Sequence, residues 1–322
     1  MRLWIFSVHS QYSLSIERLS VVSSPLRKAI ALFRAVRFTL HLAYGLTMAV
    51  IYPWFGLPMR RRILQNWSAG LLDIFNVRIE IAANDPLRAL RHGLIVTNHI
   101  SWLDVFVLNA VVPMRFVAKS EVRRWPVVGW LCARAQTLFI ERGKARSAAR
   151  INVHLVELLQ RGECLAIFPE GTTTDGTSVA HFHSSLLQPA IDAGAQVHPI
   201  AIRYQDKLGG HSLVAAYIDE ISFGASLWNI FSAPELHVRL VATPSVAASG
   251  MDRRSLTSCV QRHISAALET LHASSRPTSP AQQGEASREK TETEQDLHSL
   301  CSALLNPTQA QETASSHAES FH

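Results

Sequence analysis

Between residues 77 and 243 the chain repeats one unit: a short apolar run, a polar loop, then a segment with helical spacing. "VRIEIA" (77–82) alternates as a strand does. "GLIVTN" leads into helical spacing at 101–112, "MRFVA" into the short basic segment "KSEVRRWPVVGWLCARA", "TLFI" into a charged helix at 144–160, and "CLAIF" into a loop and a helix around 183–193. "VHPIAIRY", "SLVAAYID" and "LHVRLVAT" read as further strands, and 252–273 as a closing helix. Runs such as GLIV and CLAIF have no polar face, so both of their faces need cover, and the intervening helices supply it. That pattern restricts the chain to an α/β fold with a mostly parallel central sheet flanked by helices.

Upstream of this unit, Phe38–Met59 runs for 22 residues without a formal charge. About 20 mostly apolar residues suffice to span a bilayer, but His41 interrupts the stretch, and Pro53 and Pro58 break a helix before its end. Arg27, Lys28, Arg34 and Arg37 precede it and Arg60, Arg61 and Arg62 follow. With both flanks positive, the positive-inside rule selects neither orientation of a single span. A helix or helical hairpin dipping into one leaflet satisfies both flanks, with Trp54 and Phe55 at the interface. The competing reading is a buried core helix. The expected organisation is a loose extension at 1–24, a membrane-associated helical segment at 25–76, an α/β domain at 77–273, and a disordered tail at 274–322 rich in Ser, Thr, Gln, Glu and Ala. "RLWIF" is too short for the apolar core of a signal peptide.

Charge is distributed unevenly. Three of the 31 basic residues and seven of the 25 acidic ones lie from Arg276 onward, which leaves 28 against 18 in the body. A body this basic suits an anionic partner: membrane, nucleic acid or a phosphate-bearing substrate. "RRWPVVGW" (123–130) mixes arginine with tryptophan and suits a membrane interface better than a nucleic-acid groove, because no stacking platform accompanies it. The four cysteines are widely separated with no Cys-x-x-Cys, so the sequence predicts a reducing compartment and no disulfide framework.

Ligands of open α/β sheets gather at the carboxyl ends of strands. Those ends read "NHISWLD", "KSEVRR", "ERGKAR" and "PEGTTTDG", each supplying chargeable groups where an apolar strand stops. In "NHISWLD", Ser101 and Asp104 match a capping box. Five helical steps would place His99 and Asp104 about 140° apart, so the two meet only if His99 precedes the helix in extended backbone. There the carboxylate can hold one imidazole nitrogen and leave the other free as a base. In "FPEGTTTDG", Gly171 and Gly176 permit a tight turn, while Glu170 ends an apolar strand where an unpaired carboxylate is costly. Lys119 and Arg142 are candidate phosphate binders. "HFH" (181–183) lacks a standard zinc spacing, so no metal is expected, and Ser184 and Ser185 lack the G-x-S-x-G elbow of a serine hydrolase.

Taken in order, these blocks resemble the glycerolipid acyltransferases typified by bacterial lysophosphatidic acid acyltransferase. The similarity runs through most of residues 90–205: Asn98 and the His-x4-Asp pair His99 and Asp104; Lys119, Pro126, Gly129 and "TLFIER" ending at Arg142; Phe168 to Thr174; and "VHPIAIRY". The resemblance implies acyl transfer from acyl-CoA or acyl-carrier protein, as co-substrate, to the hydroxyl of a lysolipid acceptor, with no cofactor. It implies His99 as general base, Asp104 as its orienting partner, Lys119 and Arg142 on the acceptor's phosphate, and Glu170, Gly171 and Thr172 positioning the acceptor. It further implies work at the membrane surface, on the cytoplasmic face of a cell inner membrane, with no nucleic-acid partner. Lysophosphatidic acid is the first expected acceptor. However, Thr173 and Thr174 stand where the family often has Arg-Ser, and His183 where it often has lysine. A branch acylating lyso-ornithine lipid, whose acceptor carries no phosphate, is therefore the alternative. The reading from another class is a catalytically silent lipid-binding protein, against which the intact His99 and Asp104 pair argues.

Overall fold

The computed structural model describes residues 24–141, 145–218 and 220–274. The expected extension at 1–24 and tail at 274–322, except for their innermost residues Ser24 and Ser274, lie outside the described residues, as does Arg142. Helix α1 (Ser24–Ile51) and helix α2 (Leu57–Phe75) form a hairpin around a 3-10 turn at Tyr52–Trp54, with the break where Pro53 and Pro58 require it. Strands β1 (Val77–Glu80) and β2 (Gly93–Thr97), helix α3 (Asp104–Val111), β3 (Arg115–Lys119), α4 (Val128–Arg134), β4 (Leu138–Ile140), α5 (Ala145–Gln160) and β5 (Cys164–Ile167) follow. Helix α6 (Gln188–Ala193), β6 (Gln196–Gln205), α7 (Phe223–Ser232), β7 (Leu236–Ala242), β8 (Val246–Ala247) and α8 (Arg253–Ala273) complete the chain of elements.

The sheet runs β1-β7-β6-β2-β5-β3-β4, with β8 on β6. From β6 to β4 every pairing is parallel, while β7 and β8 pair antiparallel with β6, so the sheet is mixed but mostly parallel, as expected. Strands β2 and β5 are buried along their whole length, which is why their sequences carry no alternation. Two cores cover the two faces: Leu71, Phe75, Val107, Leu108 and Phe231 from α2, α3 and α7 on one side, and Leu155, Leu158, Leu256, Val260 and Ile264 from α5 and α8 on the other.

Two expectations need correction, and one helix went unread. "SLVAAYID" is not a strand: β2 covers β6 only as far as Ile200, and beyond it the returning chain makes a single isolated bridge, His211 with Gln205, before turning away. Its amides instead reach Tyr204 O from Ser212 and Ile100 O from Tyr217. Helix α7 has no counterpart in the sequence reading, although Ser222 caps it by accepting from the Ala225 amide. Cys132 and Cys164 are free, with burial pushing the Cys164 thiol up to about 12, whereas Cys259 is disulfide-bonded.

Helix α1 is inverted. Its buried positions are small or polar, namely Ala31, Arg34, Gly45 and Ala49, while Phe38 packs inward on Phe75 and Phe231. The guanidinium of Arg34 donates to the carbonyls of Phe231, Ala233 and Pro234, closing the C-terminal end of α7. Gly45 lies against Trp67 of α2 so closely that a Cβ there would meet the indole at 2.4 Å. Large apolar side chains point outward instead: Leu32, Phe33, Val36, Leu40, Tyr44 and Val50 are all more than half exposed. A core helix buries its apolar stripe, so the core-helix reading of this segment fails. The helix is long and apolar enough to cross a membrane, with 17% of its most apolar window buried.

Candidate active site

Strands β2, β5 and β3 are adjacent and parallel, so the loops after Thr97, Ile167 and Lys119 emerge at one edge of the sheet. Asn98 ends β2 fully buried. Its side chain donates to Ile202 O at 2.9 Å and accepts from Ile202 N at 2.8 Å, extending the ladder to β6 by one residue. His99 then leaves in irregular backbone between β2 and the helix, outside the helical turn, as the angular argument requires.

The His99 Nδ1–H donates to Asp104 Oδ2 at 2.8 Å. The same oxygen accepts from the amides of Ile100 at 2.8 Å and Ser101 at 3.0 Å. Tyr204 on β6 donates its hydroxyl to Asp104 Oδ1 at 2.8 Å. Asp104 is fully buried, and these four donors compensate its lost hydration. Burial, followed by the Asp104 charge, pushes the Tyr204 hydroxyl well above its usual value, which keeps it a donor. Only half of the capping box forms. Asp104 takes the Ser101 amide as the box predicts, but the Ser101 hydroxyl accepts from Leu103 N at 3.2 Å, and the helix begins at Asp104 itself.

The imidazole of His99 stacks on Phe168, ring centroids 3.9 Å apart, and Phe168 stacks on Phe116. With Nδ1 committed to the carboxylate, Nε2 is the nitrogen available for proton transfer, and the His99 side chain keeps 19% exposure. The backbone around it is pinned from several directions. Glu170 Oε1 accepts from His99 N at 2.8 Å and Oε2 from Ala180 N at 3.0 Å. Thr174 N donates to His99 O at 2.8 Å. The Thr173 hydroxyl donates to Tyr217 O, and Tyr217 N donates to Ile100 O. Gly176 is the position where this packing demands glycine: φ is +77°, and a Cβ would lie 2.5 Å from Ile100 Cδ1.

The structure thus brings His99, Asp104 and Glu170 together. Burial raises the Glu170 carboxyl above its usual value, with the Ala180 and His99 amides acting in the opposite direction. Gly171 turns the chain at φ +66°, and Thr172 is exposed just beyond it. Lys119 is exposed at the same edge, two strands away from β2. Tyr204 was missed by the sequence reading. It sits in a strand read as apolar, a hundred residues from its partner, and nothing local to "AIRYQ" marks it.

A family model described as acyltransferase matches residues 78–203. The lyso-ornithine lipid O-acyltransferase of Pseudomonas aeruginosa is 36% identical over 211 residues, covering 66% of this chain and 80% of that protein. A 1-acyl-sn-glycerol-3-phosphate acyltransferase of Neisseria meningitidis is 35% identical, covering 65% of this chain and 82% of the relative. Among solved structures, the 1-acyl-sn-glycerophosphate acyltransferase of Thermotoga maritima shares the fold, with a TM-score of 0.55 at 17% identity, covering 77% of this chain and 97% of that one.

Proposed function

The chain belongs to the acyltransferase family, and from that premise of general O-acyl transfer we propose that it acylates the free hydroxyl of lyso-ornithine lipid. The acceptor hydroxyl gives its proton to His99 Nε2 while its oxygen attacks the thioester carbonyl of acyl-CoA or acyl-carrier protein. The tetrahedral intermediate expels the thiolate, which takes that proton back from His99. Asp104 stabilises the imidazolium formed in between and holds the ring's tautomer, the logic of a hydrolytic triad without an enzyme nucleophile. Glu170 serves this site through the main chain, since both of its oxygens are occupied by amides that fix the His99 loop. Gly171 and Thr172 border the acceptor, and Lys119 supplies positive charge near it; the same role for Arg142, outside the described residues, rests on the family resemblance alone. The outward apolar face of α1, in its hairpin with α2, attaches the enzyme to the cytoplasmic face of the inner membrane, where its lysolipid acceptor would lie.

The observation that carries the acceptor choice is the state of the loop after Glu170. Thr173 and Thr174 spend their polar groups on Tyr217 O and His99 O, and they add no cation for a phosphomonoester. Lysophosphatidic acid remains the second reading, supported by the Neisseria relative and by Lys119 standing exposed at the site edge. A purified-enzyme panel separates them. The expected result is turnover of lyso-ornithine lipid well above that of lysophosphatidic acid. The reverse ranking would replace the first reading with the second, and no turnover of any lysolipid would overturn both.

A further inference from the structure

The segment after β3 carries a feature that acyl transfer does not use. From Arg123 to Val128 every side chain is exposed, and so is Trp130. Trp125 is 44% exposed, Val127 44%, Val128 36% and Trp130 38%, so four large apolar side chains face outward within six residues. Arg123 and Arg124 flank them, and Arg134 stacks its guanidinium over Trp130 at 5.2 Å. The turn is held in place rather than slack. Val127 has φ +63° and ψ −56°, a costly conformation for a β-branched residue. Gly129 fits so tightly that a Cβ would lie 2.2 Å from Arg123 O. Strain of this kind, used to display an apolar residue to solvent, gains nothing for the folded state alone.

The location suggests an occupant. Helix α4 packs against α1, and a shallow cleft lined by Tyr52 and Leu57 of the hairpin turn and by Ala135 and Gln136 after α4 joins the two regions. The tip follows the C-terminal end of β3, at the sheet edge that carries His99. Tryptophan beside arginine matches the amphipathic, anionic zone of a lipid headgroup layer.

We propose that the 123–130 tip is a second bilayer contact, which inserts Trp125, Val127 and Trp130 into an anionic leaflet and presses the mouth of the active site against the surface that holds the lysolipid. The proposal rests on the membrane reading of the hairpin, and the test separates the two. The full chain, carrying Cys132→Ala, is labelled with an environment-sensitive dye at Val127→Cys or, as a control, at Val153→Cys, an exposed apolar position on α5 over the opposite sheet face. Phosphatidylglycerol-containing vesicles are then added, with and without brominated chains.

The expected result is a blue shift and bromine quenching at 127 with neither at 153. Vesicle binding with a water-like label at 127 would overturn the proposal and leave the hairpin reading standing. Absence of vesicle binding would overturn both. A blue shift without vesicles that grows with protein concentration would assign the tip to a second copy of the chain, against the proposal. In parallel, Trp125→Ser with Trp130→Ser is expected to lower kcat/KM on vesicle-borne lysolipid about tenfold while sparing turnover of monomeric short-chain lysolipid. An equal loss on both presentations would count against an interfacial role.

Discussion

Asp104 is a fully buried carboxylate that meets four donors, whereas Leu32, Phe33 and Leu40 on α1 are large apolar side chains with 65%, 63% and 67% exposure. Each inverts the ordinary distribution of polar and apolar groups, and each inversion is compensated differently. Around Asp104 the compensation is internal: Ile100, Ser101, His99 and Tyr204 supply every hydrogen bond the charge needs. Along α1 nothing in the described residues covers the apolar face, so its compensation must come from outside the chain. A buried polar ring that is complete points to chemistry, and an apolar face left open points to a partner.

Substitutions can break either side of this contrast. The largest effect is expected from His99→Ala, which should reduce kcat/KM by about 10²- to 10⁴-fold and cost about 1–2 kcal/mol of stability, because Asp104 loses one of its four donors; activity equal to wild type would remove His99 from the proposed mechanism. Asp104→Ala should cause a comparable loss of activity and, in addition, about 2–4 kcal/mol of lost stability in denaturant melts, because it leaves two buried amides and a buried phenol without their acceptor. Tyr204→Phe removes one donor only. It should cost about 1–2 kcal/mol and lower kcat while leaving KM near wild type, because Asp104 then holds the His99 ring less firmly. A stability loss with unchanged kcat would make Tyr204 merely structural.

On the apolar side, Leu32→Ser, Phe33→Ser and Leu40→Ser should each change unfolding free energy by no more than about 0.5 kcal/mol while weakening sedimentation with vesicles. Losses of several kcal/mol would mean the face is covered by the protein itself. The smallest effect concerns a half-buried pair of histidines. The rings of His211 and His272 lie 5.5 Å apart. Burial, then His272 and Arg203, holds His211 below the usual imidazole value, with Asp175 opposing; His272 is lowered first by burial. A lowered folded value means the unfolded chain binds protons first. Stability from this pair should therefore be complete above about pH 6.5 and decline as the pH falls through the folded values. Melts of His211→Phe should show a shallower acid slope than wild type.

Much of the site was legible because its signals are local. The His-x4-Asp spacing, the helix start after it and the glycines of "PEGTTTDG" all operate within a few residues, and each sits where an apolar run ends. What could not be read is what arrives from distant segments. Glu170 looks like a ligand in sequence, but in three dimensions both its oxygens face main-chain amides, one of them belonging to His99. Tyr204 reaches Asp104 only because β6 lies beside β2 in the sheet. "SLVAAYID" has the composition of a strand, but after one bridge to the end of β6 its backbone is drawn to the His99 loop, where Tyr217 N donates to Ile100 O.

By itself, then, the sequence determined the α/β class, the strand and helix periods and the loop that bears His99, because hydrophobic periodicity and turn chemistry are short-range. Strand order, the fourth donor to Asp104 and the direction in which α1 turns its apolar face were decided only in the tertiary structure. A helix apolar around most of its circumference does not say which side packs. That choice fell to Gly45 against Trp67 and Arg34 against the end of α7, contacts made across 22 and about 200 residues of chain.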